Sequence, residues 1–273
     1  MHATTLALVG ATGGAGTTRT AVELAALGAR DGRDVAVIDA AFTTQGLAEY
    51  VTGRIETDCT ALVTDDTDAP LSTGTYPIDV DGDGGDDGRS GAEGRSDTSG
   101  DQLPGRADAV PARAPFERLA RAKTAAAAQK LERRIDEAAT THDAVIVDAA
   151  PVGSNEAVAA VAAADRVAAV YPATTRGRDA LQRLRGRIAD VGESVDEAIA
   201  VARTSGTGSG SGNSESGDGV TLPATDPRVA AAPTAATGTG AYARAVADAY
   251  AEGFGTTVGV EFPDPGLVDR LRP

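Results

Sequence analysis

The chain has 273 residues, 41% of them hydrophobic, which is enough to bury a core in one large or two small domains. A formal net charge of -15, with lysine only at positions 123 and 130, argues against nonspecific nucleic-acid binding. Adaptation to high salt explains the surplus of Asp and Glu, which GC-rich codon bias does not, so the composition predicts a halophilic protein. The single cysteine, Cys59, excludes an intramolecular disulfide, and the lack of a signal-like start or of an apolar run of about 18 residues predicts a cytoplasmic protein without membrane attachment.

The first predicted unit is a strand, a glycine loop, a helix and a second strand. The apolar run TTLALV predicts a buried strand over Thr4 to Val9, and the glycine loop leads into a helix over Thr17 to Arg30. The run DVAVIDA predicts the next strand and places Asp39 at its end. Strand, helix and strand in this order form one right-handed parallel unit.

A polar insertion then interrupts the pattern. Residues 80–106 are acidic and free of apolar clusters, which predicts a disordered insertion within the domain. After it, FERLARAKTAAAAQKLERRIDEAA predicts one long helix over residues 116–139, with its apolar positions, Phe116 among them, facing the core. The most hydrophobic strand of the chain, DAVIVDAA, follows and ends near Asp148.

The rest of the chain continues to alternate. Helix, strand, helix and strand are predicted up to residue 203, followed by a flexible Gly/Ser loop at 205–219 and a last helix over 241–254. This alternation predicts an α/β, doubly wound, mostly parallel sheet with helices on both faces. Residues 1–273 are therefore predicted to form a single domain with two polar insertions.

Three features converge on one edge of the predicted sheet. Open α/β sheets bind ligands at the carboxyl ends of their strands, where the glycine loop, Asp39 and Asp148 all lie. The loop supplies backbone N–H groups at a helix N-terminus, which suit an anion. The candidate binding residues are Gly13, Gly14, Ala15, Gly16, Thr17, Thr18, Asp39 and Asp148.

The loop resembles that of the ParA/MinD family of deviant Walker A ATPases, which reads roughly K-G-G-x-G-K-T-T against residues 12–19 here. The segment IDAAFTTQGLAEYV resembles the family's second strand and switch, and HDAVIVDAAP resembles its Walker B strand. The resemblance implies ATP with magnesium as the ligand, with Thr18 and Asp148 at the metal. It also implies a protein partner, and leaves a homodimer open.

Three family residues are replaced. Thr12 and Thr17 stand where the family has its two lysines, and Ala41 stands where it has the switch aspartate tied to hydrolysis. Loss of the lysine at Thr17 should weaken triphosphate binding roughly 10- to 100-fold, because a charge-assisted hydrogen bond to phosphate contributes about 1.5–3 kcal/mol. Arg19 is expected to point away from the site. No catalytic residue is assigned.

The sequence therefore predicts a ParA/MinD-like regulator or spatial-organisation factor, acting in partitioning, division-site or surface-structure positioning. We expect it to be a pseudo-ATPase that binds nucleotide weakly or not at all. A weakly active or partner-activated ATPase is the first alternative. The second is a Rossmann-type dinucleotide-binding module, because GATGGAG also has the Gly-x-x-Gly-x-x-Gly spacing of extended short-chain dehydrogenases and Asp39 could hold a ribose; the Tyr-x-x-x-Lys pair of that chemistry is missing.

One stretch is locally basic. The segment RGRDALQRLRGR, residues 176–187, could contact nucleic acid or an acidic partner. In so acidic a chain, the expectation is instead that its arginines pair with nearby Asp and Glu of the same molecule.

Overall fold

The structure, a computed structural model, describes residues 3–65, 69–80, 103–203 and 219–263. Its strands are β1 (Thr4–Gly10), β2 (Asp34–Asp39), β3 (Tyr76–Pro77), β4 (Arg106–Val110), β5 (Ala144–Ala149), β6 (Arg166–Pro172), β7 (Glu197–Val201) and β8 (Thr221–Leu222). Its α-helices are α1 (Thr17–Arg30), α2 (Cys59–Thr64), α3 (Phe116–Ala122), α4 (Ala125–Thr141), α5 (Asn155–Ala162), α6 (Thr175–Asp190) and α7 (Ala241–Phe254). Short 3-10 helices cover Gly46–Tyr50, Leu71–Gly74 and Val229–Ala231.

The strands form one sheet in the order β3-β4-β2-β5-β1-β6-β7-β8. Every neighbouring pair is parallel except β3 with β4. Because these strands are parallel, their carboxyl ends meet along one edge of the sheet. Parallel strands also need crossover connections, and helices supply most of them. The predicted doubly wound, mostly parallel sheet is confirmed.

Helices cover both faces of this sheet. In β1, Leu6 and Leu8 face the core shared with α1 and α7, while Ala7 and Val9 face the core shared with α4, α5 and α6. Because both faces are buried, the central strands need apolar residues at every position, and this is why β1 and β5 read as continuous apolar runs.

The prediction of one long helix over residues 116–139 is wrong, because this segment forms two helices, α3 and α4. The chain breaks after Ala122, and Thr124 caps α4 by accepting a hydrogen bond from the backbone N–H of Ala127 at 3.3 Å. The expected core role of Phe116 is also wrong, since 85% of this residue is exposed. Leu131 and Ile135 of α4 are buried as expected.

The two predicted polar insertions fall mainly on residues 81–102 and 204–218, outside the described part of the chain. The last residue of the first predicted insertion, Arg106, is already the first residue of β4. Within the described ranges, no helix is both long and apolar enough to cross a membrane.

Candidate functional site

The glycine loop connects β1 to α1 across the carboxyl edge of the sheet. Gly14 and Gly16 have φ values of 67° and 95°, a backbone region that favours glycine, and a Cβ at Gly10 would lie 2.7 Å from Oγ1 of Thr17. No side chain caps α1, and its first turn holds no acidic residue. The first N–H groups of α1 are thus left to an anion.

Two buried carboxylates lie beside this loop. Asp39 of β2 and Asp148 of β5 occupy paired positions on neighbouring strands, and both are at most 1% exposed. Burial raises the pKa of Asp39, and the negative charge of Asp148 raises it further, while hydrogen bonds from backbone N–H groups partly offset both effects. Asp39 accepts such bonds from Ala41 at 2.9 Å and Ala112 at 3.3 Å.

Asp148 is in the opposite situation. Neither of its carboxylate oxygens has a hydrogen-bond partner of normal geometry in the described part of the chain. Burial raises its pKa, and the nearby hydroxyl of Thr18 offsets part of that rise. A buried carboxylate without a partner is destabilising, because it loses its hydration and gains no replacement. Such a group suits a cation that arrives from outside.

The loop and Asp148 line a cleft of about 270 Å³. Thr17 and Thr18 lie on one wall of this cleft, which we call the phosphate cleft, and Ala41 and Thr44 lie on the segment after β2. Asp39 does not line it, because its carboxylate is turned to the backbone N–H groups of the segments after β2 and β4. Of the two predicted carboxylates, only Asp148 therefore reaches the ligand space.

A second cavity of about 390 Å³ adjoins the phosphate cleft on the other side of Gly14–Gly16. Its walls come from Tyr50, Tyr242 and the segments that follow β7 and β8. We call it the side cavity. Sequence reasoning missed both tyrosines: Tyr242 lies in α7, far from every motif, and nothing in the switch-like segment that contains Tyr50 marks this residue as a wall of a cavity.

The cations near the loop are already engaged. Arg19 donates to the carboxylate of Glu23 at 3.2 Å and to the backbone carbonyl oxygens of Asp226 and Arg228, so it ties α1 to the segment after β8. Arg19 lines both the phosphate cleft and the side cavity, so the expectation that it points elsewhere holds only for its guanidinium group, which is directed to Glu23 and to the segment after β8. Arg203, on the segment after β7, donates to the carbonyl oxygen of Gly14.

Lys123 is the lysine near this edge. Its Nζ donates to Oγ1 of Thr43 at 2.7 Å and lies 3.8 Å from the carboxylate of Glu156. It thereby connects the segment after β2 to the first turn of α5. The described ranges contain no group of three or more His, Cys, Asp or Glu side chains that could hold a metal. A metal ion at this edge would therefore need other kinds of ligand as well.

The strand order decides against the dinucleotide alternative. In the Rossmann order the first strand lies beside the second, so the acidic residue after β2 reaches a ligand on the first loop. Here β5 lies between β1 and β2, and Asp39 pairs in register with Asp148 instead of lying beside the loop strand. The interpretation of GATGGAG as a Rossmann fingerprint is therefore wrong.

No protein-family model matches the chain, and no curated protein sequence matches it. Solved structures do resemble it. A McdA variant from Cyanothece in complex with ATP is 18% identical, with 95% of this chain and 99% of that chain covered, at a TM-score of 0.64. MinD from Pyrococcus furiosus, a cell division ATPase, is 13% identical, with 91% and 97% covered, at a TM-score of 0.61.

A further similar structure is MinD from Pyrococcus horikoshii in complex with Mg-ADP, 14% identical over 73% of this chain and 70% of that chain, at a TM-score of 0.56. At such identities the likeness speaks for the fold alone. Together with the strand order, it shows that this chain has the ParA/MinD-like fold of P-loop NTPases.

Proposed function

We propose that the chain is a ParA/MinD-like regulator that binds an adenine nucleotide with magnesium weakly and turns it over slowly or not at all. One observation carries this proposal: the buried carboxylate of Asp148 faces the phosphate cleft beside the hydroxyl of Thr18, with no hydrogen-bond partner of normal geometry among the described residues. Hard oxygen ligands such as a carboxylate and a threonine hydroxyl suit magnesium, so Asp148 and Thr18 fit that ion. Magnesium would supply the charge that holds phosphate groups against the loop.

The rest of the ligand fits the remaining space. Phosphates would lie against the backbone N–H groups of residues 13–18, and the base and ribose would enter the side cavity between Tyr50 and Tyr242. This division of the site into a polar cradle and a larger cavity with aromatic walls supports a nucleotide more than a lone phosphate.

Weak binding and slow turnover follow from the missing cations. Thr12 and Thr17 carry no charge, Arg19 is engaged by Glu23, and Arg203 contacts the loop at the carbonyl oxygen of Gly14. Positive charge on the phosphates stabilises the transition state of phosphoryl transfer. In addition, Ala41 has no side-chain group that could orient a water molecule.

By likeness of fold, we extend the proposal to spatial organisation, with a protein partner and a homodimer as the assembly. Among the similar structures, MinD of Aquifex aeolicus forms a complex with MinC, and McdA of Cyanothece binds ATP. The fold hosts other activities too, since cobyrinic acid a,c-diamide synthase of Mycobacterium smegmatis resembles the chain at a TM-score of 0.54.

The test is a titration of the purified protein, in molar KCl with magnesium, against ATP, ADP and NAD, read as a change in melting temperature. We expect ATP to raise the melting temperature, and Thr17→Lys to increase its affinity roughly 10- to 100-fold, because a lysine adds a charge-assisted bond to phosphate. Thr18→Ala should abolish the magnesium-dependent part. Thr140→Ala, which removes an exposed hydroxyl on α4, serves as the control.

Several outcomes would decide against the proposal. Unaltered affinity in Thr18→Ala would remove the metal assignment, and no response to ATP or ADP even in Thr17→Lys would leave only a scaffold. Ready hydrolysis by the unmodified chain would favour the active-ATPase alternative instead.

A further inference from the structure

The outer surface of α6 carries an unusual density of positive charge. Its apolar positions, Ala180, Leu181, Leu184 and Ile188, are buried against the sheet. The remaining positions hold five arginines: Arg176, Arg178, Arg183, Arg185 and Arg187. Four of the five are exposed and Arg185 is half-buried.

These arginines have no acidic partners among the residues that the structure describes. Within the described part of the chain, none of the five forms an ion pair, and the single hydrogen bond among them is from Nη1 of Arg187 to the carbonyl oxygen of Val152 at 3.4 Å. The expectation that this helix pairs internally is therefore wrong for the described residues. Arginines elsewhere, such as Arg19 and Arg118, do pair with carboxylates.

Helical spacing arranges the five in two rows. Arg176, Arg183 and Arg187 are separated by seven and four residues, so they lie on one flank of α6 along about 16 Å, and Arg178 and Arg185 lie on the other flank. The contact of Arg187 with Val152 places the first row beside the segment that follows β5. We call Arg176, Arg183 and Arg187 the arginine row.

We propose that the arginine row is a docking surface for an acidic segment of a partner protein. A guanidinium group binds a carboxylate through two parallel hydrogen bonds, so three arginines at this spacing match carboxylates repeated along one side of a helix or an extended segment. Charge complementarity carries the argument, because the row is cationic and has no ion pair with any described residue, on a chain with a net charge of -15. The proposal does not depend on the nucleotide site.

A protein segment fits this surface better than nucleic acid does. A duplex extends well beyond one helix and would meet the negative field of the rest of the molecule. Asp179 and Asp190 lie three or four residues from members of the arginine row, so they restrict any anionic partner, phosphate or carboxylate, to the side of the row that faces away from them. A short acidic segment needs only the local match along one flank.

The test uses the full-length chain and a fluorescently labelled poly-L-glutamate peptide, with binding followed by anisotropy at physiological ionic strength and in molar KCl. We expect the triple variant Arg176→Glu, Arg183→Glu and Arg187→Glu to lose at least about tenfold in affinity. The matched control, Arg54→Glu, Lys130→Glu and Arg133→Glu, changes the net charge equally on other surfaces and should stay within about threefold. Circular dichroism establishes that both variants fold.

A third variant separates hydrogen bonding from charge. Replacing the arginine row by three lysines keeps the charge but removes the two-point geometry, and it should give an intermediate affinity, with the loss greater in molar KCl where long-range attraction is screened.

Three results would overturn the proposal. One is no binding of poly-L-glutamate to the wild-type chain in either salt; another is an equal loss in the control variant, which would reduce the effect to net charge. The third is tighter, row-dependent binding of a DNA duplex of matched charge, which would assign the row to nucleic acid.

Discussion

Replacement of Asp148 by asparagine should stabilise the protein in the absence of ligand. The substitution keeps the shape of the side chain and removes a buried negative charge that lacks a hydrogen-bond partner among the described residues and that faces the buried Asp39 across one strand pair. Most substitutions of buried residues destabilise, so a gain here would mark Asp148 as a group kept for a ligand.

The size of the gain follows from the loss of the buried charge, since the amide of asparagine remains a buried polar group but is less costly to bury than a carboxylate. Leaving such a group without partners costs about 1–3 kcal/mol, and more for a charged one. For a protein of this size, each kcal/mol shifts the melting temperature by roughly 2–4 °C. The Asp148→Asn protein should therefore melt roughly 3–10 °C higher than wild type at neutral pH.

The gain should depend on pH. Burial raises the pKa of Asp148 above its ordinary value of 3.8, so the folded protein holds this proton more tightly than the unfolded chain does. Stability consequently falls as the pH rises from that ordinary value through the raised folded value. The difference in melting temperature between Asp148→Asn and wild type should be small near pH 4 and largest at and above neutral pH, where the carboxylate is charged.

Thermal unfolding followed by circular dichroism, at several pH values and with or without magnesium and ATP, measures these effects. Asp58→Asn is the matched control, because Asp58 is also buried but accepts hydrogen bonds from the backbone of Thr60 and from Arg118. This control should lower the melting temperature at neutral pH, opposite in sign to Asp148→Asn.

A drop in melting temperature for Asp148→Asn comparable to that of Asp58→Asn would refute the reasoning, because it would show that Asp148 is satisfied within the fold. A stabilised variant that still responds to magnesium as wild type does would keep the electrostatic argument and remove Asp148 from the metal site.

Three further predictions concern the fold. Arg19→Ala should lower the free energy of unfolding by about 3 kcal/mol in denaturant titrations, because it leaves the fully buried carboxylate of Glu23 without its cation; an unchanged midpoint would contradict that. Gly28→Ala should lower it by roughly 1–3 kcal/mol, since the new Cβ would lie 2.6 Å from Cγ2 of Val35 and 3.0 Å from Tyr250, and a neutral outcome would mean that these side chains shift freely. The melting temperature should rise steadily with KCl up to molar concentrations, as expected of a halophilic chain of net charge -15, whereas a flat profile would favour codon bias as the source of the composition.

The sequence by itself determined the local elements and the loop. Short continuous apolar runs rich in β-branched residues, such as DAVIVDAA, indicate strands buried on both faces, and the glycine loop followed by a regular helix located α1 to the residue. The placement of Asp39 and Asp148 at strand ends likewise followed from the pattern, because the carboxyl ends of parallel strands share one edge.

Tertiary structure decided which of these residues can act together. The insertion of β5 between β1 and β2 pairs Asp39 with Asp148 and excludes the dinucleotide interpretation, and no local pattern encodes strand order. The same holds for charge: Arg19 is engaged by Glu23, whereas the arginine row has no carboxylate partner in the part of the chain that the structure describes, although both read alike as basic residues on helices. Pairing depends on which carboxylates lie within about 4 Å in space, and that distance is set by packing between elements far apart in the chain.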